Sequence, residues 1–360
     1  MKKIGILSFY GGIINRGVEI LVHRLSNEIV DHGYDVTVYQ IGPRLIDAKY
    51  KTVSLFSNVD WNQKSSNVAF LNHYSLKIME FTLQVLKIID KKTDIVFPTN
   101  GQWQSVLCSI WAKIKRKKVI ISGFSGIGFD DRVNLYTFPD RFIPMSTKAL
   151  EKSRKINPFV KLVKIPGGVD LNKFKKALNN KNDIQKTVLS VGAFTDQKRH
   201  DLVINAVSKL NNVNLIIAGG GGNKKKEIKE LGERLLDNRF KVVEIAHDKM
   251  PDIYNLADVF TLASEPSEAF GMVLIEAMAC GLPVVATDDP IRREIVGNAG
   301  LFVDPTNIDL YAEKIKEALN IDWGDKQSLA KLGLGKPRKQ AEKFSWDIIA
   351  SEYEKLFKTL

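Results

Sequence analysis

The feature that most constrains this chain is an alternation. Short β-branched, apolar runs recur along it: KIGILSF, DVTVYQI, TDIVFP, KVIIS, RFIPMS and VKLVKIP, then KTVLSVG, VNLIIAG, FKVVEIA, VFTLAS, PVVAT and LFVD. Between many of them lie stretches with helical spacing, such as Val18 to Val30, His200 to Leu210 and Lys224 to Leu236. Continuous apolar runs suit strands buried on both faces, and strand-helix-strand repetition makes those strands parallel. The pattern pauses once, over Gly167 to Lys186, where LNKFKKALNNKNDIQK is polar, basic and Asn-rich and reads as a linker. The expectation is two doubly wound α/β domains, residues 1–166 and 187–343, with a linker at 167–186. Residues 344–360, FSWDIIASEYEKLFKTL, form an amphipathic helix that Ser345 can cap.

The 360 residues suit two domains of roughly 150 residues each and need no disulfide to fold. Cys108 and Cys280 sit in apolar runs outside any C-x-x-C pair and read as buried thiols of a reducing compartment. No segment approaches the roughly 18 uninterrupted apolar residues of a membrane span. The start, MKKIGILSFYGG, reads as a first strand rather than a leader, because its apolar run is short and has no cleavage site. A cytoplasmic protein is expected.

Charge is unevenly placed. The formal net charge is +12, yet residues 1–180 hold 28 Lys and Arg against 14 Asp and Glu, and the rest 25 against 27. Such asymmetry suits an anionic partner met by the first half only. The densest cluster is KIKRKK, Lys113 to Lys118, which is either a solvated helix end or a membrane-facing basic patch. No nucleic-acid motif is present and no aromatic residues interleave with the cations, so nucleic acid is not expected as a partner.

The loops after strands are where open α/β sheets bind ligands. The most informative one opens SEPSEAFGMVLIEAMACGLPVVATD, residues 264–288. Glu268 lies in a loop before a helix, and Glu276 lies inside that helix among Val273, Leu274, Ile275, Ala277, Met278 and Ala279. A helix this apolar is buried, and a carboxylate within it is costly unless paired. The helix begins near Gly271, where free N–H groups and the dipole favour an anion. The alternative is structural: Glu276 capping a neighbouring loop and Glu268 in an exposed turn.

This stretch closely resembles the signature of the family-four retaining glycosyltransferases, also called glycosyl transferases group 1. These are GT-B enzymes of two Rossmann-like domains facing a cleft, with a last helix that crosses back to the N-terminal domain. Their pattern of Glu, seven residues, Glu is met by Glu268 and Glu276, with Phe270-Gly271 after the first acid and EAMACGLP from the second. The resemblance implies that Glu268 contacts the hydroxyls of the transferred sugar and Glu276 the ribose. The backbone from Phe270 through Gly271 and Met272 to Val273 would meet the sugar and phosphates. SVGAFTDQKRHDLVINA is similar to the opening of the family's donor domain, which places Lys198 on the donor diphosphate. Ala193 stands where the family has an Arg, and the neighbouring Arg199 is the candidate substitute. IPGGVDLNKF, LIIAGGGG, AHDKMP (where the family binds the base), MPDIYNLADVFTLAS and FSWDIIASEYEKL resemble further segments of the family. In the first half, YGGIINRGVE is not G-x-G-x-x-G but resembles the family's glycine loop, with Gly11, Gly12 and Gly17 as bare backbone and Arg16 as a cation. Many members carry a His after about the fourth strand; here KVIISGFSGIGFDDR has Phe124 or Gly123 at that place.

The five histidines (His23, His32, His73, His200, His247) form no ligand cluster, and Asp-x-Asp is absent, so neither a metal nor another cofactor is expected. The resemblance implies transfer of a hexose from a UDP- or GDP-linked donor to a glycan or lipid-linked glycan acceptor with retention. Glu268 and Lys198 would be the catalytic residues. Donor binding would fall to Gly11, Gly12, Arg16, Lys198, Arg199, Phe270, Gly271, Met272, Val273 and Glu276. The basic N-terminal domain suits an anionic membrane surface on the cytoplasmic side, and with it surface-polysaccharide assembly. The departures at Ala193 and Phe124 leave a non-catalytic nucleotide-sugar-binding partner subunit as the alternative.

Overall fold

The structure, a computed structural model, describes residues 2–14, 16–61, 63, 68, 70–177, 185–266 and 268–360. Asn15 of the glycine loop, residues 178–184 of the expected linker and Ser267 of the double-acid stretch lie outside the described residues. The chain divides into two units, residues 1–167 with 346–360, and residues 168–345.

The first unit has strands β1 (Lys3–Leu7), β2 (Asp35–Gln40), β3 (Lys51–Ser54), β4 (Ile95–Pro98), β5 (Lys118–Gly123) and β6 (Arg141–Pro144). Its helices are α1 (Gly17–Asp31), α2 (His73–Ile88), α3 (Gln102–Lys115), α4 (Phe129–Tyr136) and α5 (Thr147–Ile156). All its strand pairs are parallel, in the order β3-β2-β1-β4-β5-β6. The order reverses between β1 and β4, where Ile4 lies beside Ile95 and Ile6 beside Phe97. Leu7, Phe9, Phe81, Val85, Val96 and Phe142 are buried in its core.

The second unit repeats the scheme. Its strands are β7 (Lys186–Val191), β8 (Val213–Ala218), β9 (Phe240–Val243), β10 (Val259–Leu262), β11 (Val284–Thr287) and β12 (Gly300–Val303). Its helices are α6 (His200–Ser208), α7 (Lys225–Leu236), α8 (Met250–Tyr254), α9 (Met272–Ala279), α10 (Pro290–Val296), α11 (Ile308–Asn320), α12 (Lys326–Lys331) and α13 (Pro337–Ala341). The order β12-β11-β10-β7-β8-β9 is again all parallel, with its reversal between β7 and β10. Every residue of β10 and of β11 is buried, as strands covered on both faces require. The last helix, α14 (Trp346–Lys358), belongs to the first unit, where Lys2 Nζ donates to Phe357 O at 2.6 Å.

Three details differ from the sequence expectation. VKLVKIP is not a strand: it runs beside β6 through Phe142 N to Lys161 O and Val163 N to Phe142 O, but forms one isolated bridge. The edge strand β3 was not anticipated, because KTVS is short and only half-buried. The first part of the expected linker is packed structure of the second unit. Arg338 donates to Phe174 O and Leu171 O at 2.7 and 2.9 Å, and Asn255 binds Lys175 O and Ala177 N. Backbone groups tied down in this way leave no linker over 168–177.

Candidate functional site

The clearest site forms at the reversal of the second sheet, where the loops after β7 and β10 meet. The first loop makes a 3-10 turn, Asp196–Lys198, and the second runs from Ala263 to Gly271. Lys198 Nζ donates to Glu268 Oε1 at 2.6 Å. The Lys198 stem crosses over Gly192: a Cβ there would lie 3.0 Å from Lys198 Cδ and 3.1 Å from Cγ. The other carboxylate oxygen, Glu268 Oε2, accepts from Ser264 Oγ at 2.5 Å and from Arg292 NH2 at 3.2 Å. Burial pushes the Glu268 pKa up, but the charges of Lys198 and Arg292, with the Lys198 and Ser264 hydrogen bonds, outweigh it and hold the group below the usual range. Glu268 is therefore a carboxylate fixed on both oxygens.

Four residues on, Gly271 takes φ +93°, a left-handed turn that suits glycine, and opens α9. No side chain caps that helix and its first turn holds no acid. Its N-terminus keeps donors and a positive end for an anion. Phe270 beside it is buried against Phe344, with ring centroids 5.9 Å apart. Met272 and Val273 are the first two residues of α9.

Glu276 is buried one turn further along α9. Its Oε1 lies 2.8 Å from His247 Nε2, and its Oε2 accepts from Tyr254 OH at 2.8 Å. Burial first, then the charge of Glu276, keeps Tyr254 protonated and a donor. His247 also packs on Phe174 at 5.6 Å. The AHDKMP segment thus reaches the second acid of the motif. A carboxylate offers about four lone-pair sites, so two protein donors leave room for more.

Two further cations of the expected donor site are engaged by partners within the protein. Arg199, the substitute for the missing Arg, donates from Nε to Ala263 O at 2.7 Å and from NH2 to Ser264 O at 3.2 Å. It ties the two loops together instead of standing free for a ligand. Arg16 lies 4.1 Å over the Tyr10 ring and donates to both oxygens of the buried Glu19, at 3.1 and 2.7 Å. Its charge is already matched. In the same loop Gly12 takes φ +75°, and a Cβ would come within 2.4 Å of Pro43 O. Gly11 accepts from Gly42 N at 3.0 Å, so this glycine pair is needed at least for packing against the loop after β2.

Sequence reasoning missed Arg292 altogether. It is fully buried, and its NH2 also reaches Ser264 Oγ at 2.6 Å and Glu265 O at 2.8 Å. Its NH1 lies 2.8 Å from Asp289 Oδ2. Two other titratable groups sit by strand ends. Asp131 is buried under the loop after β5 that contains Phe124, and accepts from Ser125 N and Ile127 N at 3.1 and 2.9 Å. His200 opens α6, with Nδ1 3.3 Å from Ser190 Oγ and Nε2 3.4 Å from Gly192 O. Among the described residues no group of three or more His, Cys, Asp and Glu is placed to hold a metal, and no helix is long and apolar enough to cross a membrane.

Two doubly wound six-stranded parallel sheets, with the last helix returned to the first unit, define the GT-B fold. Residues 172–333 match the model of the family described as glycosyl transferases group 1. It is 33% identical over 194 residues to an uncharacterized glycosyltransferase of Methanocaldococcus jannaschii, covering 51% of this chain and 47% of that one. It is 31% identical over 116 residues to the O-antigen chain mannosyltransferase B of Escherichia coli, covering 32% and 29%. The chain thus spans half or less of the length of these curated relatives. Anabaena Alr3699/HepE, solved in complex with UDP-glucose, has the same fold with a TM-score of 0.78, 19% identity and 100% of both chains covered.

Proposed function

We propose that the chain is a metal-independent transferase. On this reading it moves a hexose from a UDP- or GDP-linked donor to a glycan or lipid-linked glycan acceptor, with retention, in cell-surface polysaccharide assembly. The observation that carries the reading is the meeting of Lys198, Glu268 and the uncapped end of α9 at the sheet's reversal point. The mannosyltransferase relative and the UDP-glucose complex of the neighbour support a nucleotide-sugar donor. The excess of cations in residues 1–180 supports an acceptor at an anionic cytoplasmic membrane face.

The chemistry follows from where charge develops. As the bond from the anomeric carbon to phosphate breaks, its electron pair goes to the diphosphate and positive charge grows on the ring. Lys198 and the α9 N–H groups stabilise the departing diphosphate. Glu268 orients the sugar hydroxyls. The acceptor hydroxyl bonds to the anomeric carbon on the face the diphosphate leaves, and its proton passes to the leaving phosphate oxygen. Ala193 at the family's Arg position favours a second reading, a partner subunit that binds donor without turning it over. Donor turnover separates the two.

Thermal unfolding against UDP-, GDP- and ADP-sugars tests the site directly. A donor at about 100 times its Kd adds roughly 2.7 kcal/mol, and Glu276→Ala is expected to abolish the shift. Absence of any shift from the whole panel sinks the donor-site reading. Gly192→Ala gives a second test, because its Cβ would displace the Lys198 stem, a flexible group, without backbone overlap. Donor affinity should fall about tenfold, one charge-assisted hydrogen bond, with the melting temperature nearly kept. Unchanged affinity by calorimetry would mean that Lys198 does not touch the donor.

A further inference from the structure

We infer that Arg292 is a positioning residue: it holds the Glu268 carboxylate in place so that Lys198 can turn from Glu268 to the donor diphosphate. The inference rests on the donor-site reading above. Lys198 has one ammonium group, and its bond to Glu268 Oε1 is 2.6 Å long. A diphosphate brings two or more negative charges and competes for that same ammonium. When Lys198 turns, Glu268 is left with the bonds on Oε2, from Ser264 Oγ at 2.5 Å and Arg292 NH2 at 3.2 Å. Only the second carries a charge.

The setting of Arg292 fits this task. Its side chain is 0% exposed, so it does not reach a donor itself. One side of its fork meets Ser264, Glu265 and Glu268, and the other lies 2.8 Å from Asp289. Asp289 is itself fixed, because its Oδ1 caps α10 through Ile291 N and Arg292 N at 2.8 and 3.2 Å. The guanidinium thus stands between an anchored acid and the acid of the site. Neighbouring Ile291, Ile295 and Val296 on α10 are buried and apolar. Stability alone does not explain the network, since replacing a whole buried ion network by well-packed hydrophobic groups usually costs nothing, although removing Arg292 alone strands Asp289. Lysine would replace Arg292 only in part, because a point charge cannot serve both carboxylates as a planar fork does.

The groups facing Glu268 are Lys198 from the turn after β7, Ser264 from its own loop and Arg292 from α10, with Asp289 behind Arg292. Removing Arg292 while Lys198 is engaged by phosphate leaves Glu268 without a cation, so it takes up a proton at a higher pH.

The test is the affinity gained by the sugar, read as the ratio of Kd for UDP to Kd for UDP-glucose, and likewise for GDP and GDP-mannose. It is measured by calorimetry at pH 7.5 and 5.5 on the wild type, Arg292→Met and Arg292→Lys. In Arg292→Met the ratio is expected to fall about tenfold or more, while Kd for the bare nucleotide stays within about threefold. The loss should be larger at pH 5.5 than at pH 7.5, and Arg292→Lys should recover part of it. A purely structural role would weaken nucleotide and nucleotide sugar alike, or lower only the melting temperature, and either result overturns the inference. If Arg292→Met does not fold, the double variant with Asp289→Asn removes the stranded charge and keeps an acceptor for the α10 cap. If the wild type binds no sugar nucleotide at all, the donor-site reading fails and takes this inference with it.

Discussion

Lys198→Ala is expected to slow sugar transfer by about 10²–10³-fold, the usual loss when one preorganised group facing a developing oxyanion is removed. The upper end of that range applies here for a reason visible in the cations around it. Ala193, in the turn after β7, brings no charge. Arg199 is committed to the carbonyls of Ala263 and Ser264, and Arg16 to both oxygens of Glu19. Lys198 is thus the cation at the reversal point whose partner, Glu268, keeps a second support when it leaves. Lys198→Arg should recover only part of the rate, because the stem lies close over Gly192 and a planar fork is bulkier than an ammonium. Glu268→Gln should be damaging as well, and the two changes together less than additive, since the residues share one bond. The measurement is single-turnover consumption of the donor with enzyme in excess. A Lys198→Ala rate within threefold of wild type would remove Lys198 from the chemistry.

How far the sequence foretold this arrangement depends on what kind of signal each residue leaves. Both sheets were legible because a strand buried on two faces must be apolar throughout, as VFTL and VVAT are. The edge strand KTVS escaped for the opposite reason: half-buried and four residues long, it carries no such run. VKLVKIP misled because it has strand composition, yet it meets β6 at one bridge only. Glu276 stood out through its apolar helix, while Glu268 and the spacing of the two acids were legible through the resemblance to the family signature. Arg292 was not, since an arginine in DDPIRREIV reads as a surface residue and its burial depends on Glu268 and Asp289 arriving from two sides. The pairing of Arg16 did leave a signal: Glu19 stands three residues on, the spacing at which helix side chains pair. Arg199 offered no such cue, because its partners are backbone carbonyls 64 and 65 residues away.

Two buried groups should tilt the stabilities of the two units in opposite directions over pH 4–6. In the second unit burial lowers the His200 pKa to about 4, from 6.5. The unfolded chain binds this proton below 6.5 and the folded unit only near 4, so stability is lost as pH falls through that window. The shift corresponds to about 3 kcal/mol. In the first unit burial raises the Asp131 pKa to about 6, from 3.8, against the lowering effect of its hydrogen bonds to Ile127 and Ser125. Here the folded unit binds the proton first. That contribution is fully present below 3.8 and is lost as pH rises through 6, again about 3 kcal/mol. At neutral pH, then, the first unit bears a buried carboxylate beneath the loop that contains Phe124, where Ile127 takes φ +62°, an uncommon backbone for a β-branched residue. Because two units need not unfold together, a single melting temperature would blur the effect. Amide-exchange protection, corrected for intrinsic rates and followed from pH 4.5 to 7.5, resolves it: β7 and β8 should lose protection on acidification while β1 and β5 gain it. His200→Gln should flatten only the first trend and Asp131→Asn only the second. Parallel trends in both units, or slopes unmoved by these substitutions, would show that other groups set the pH response.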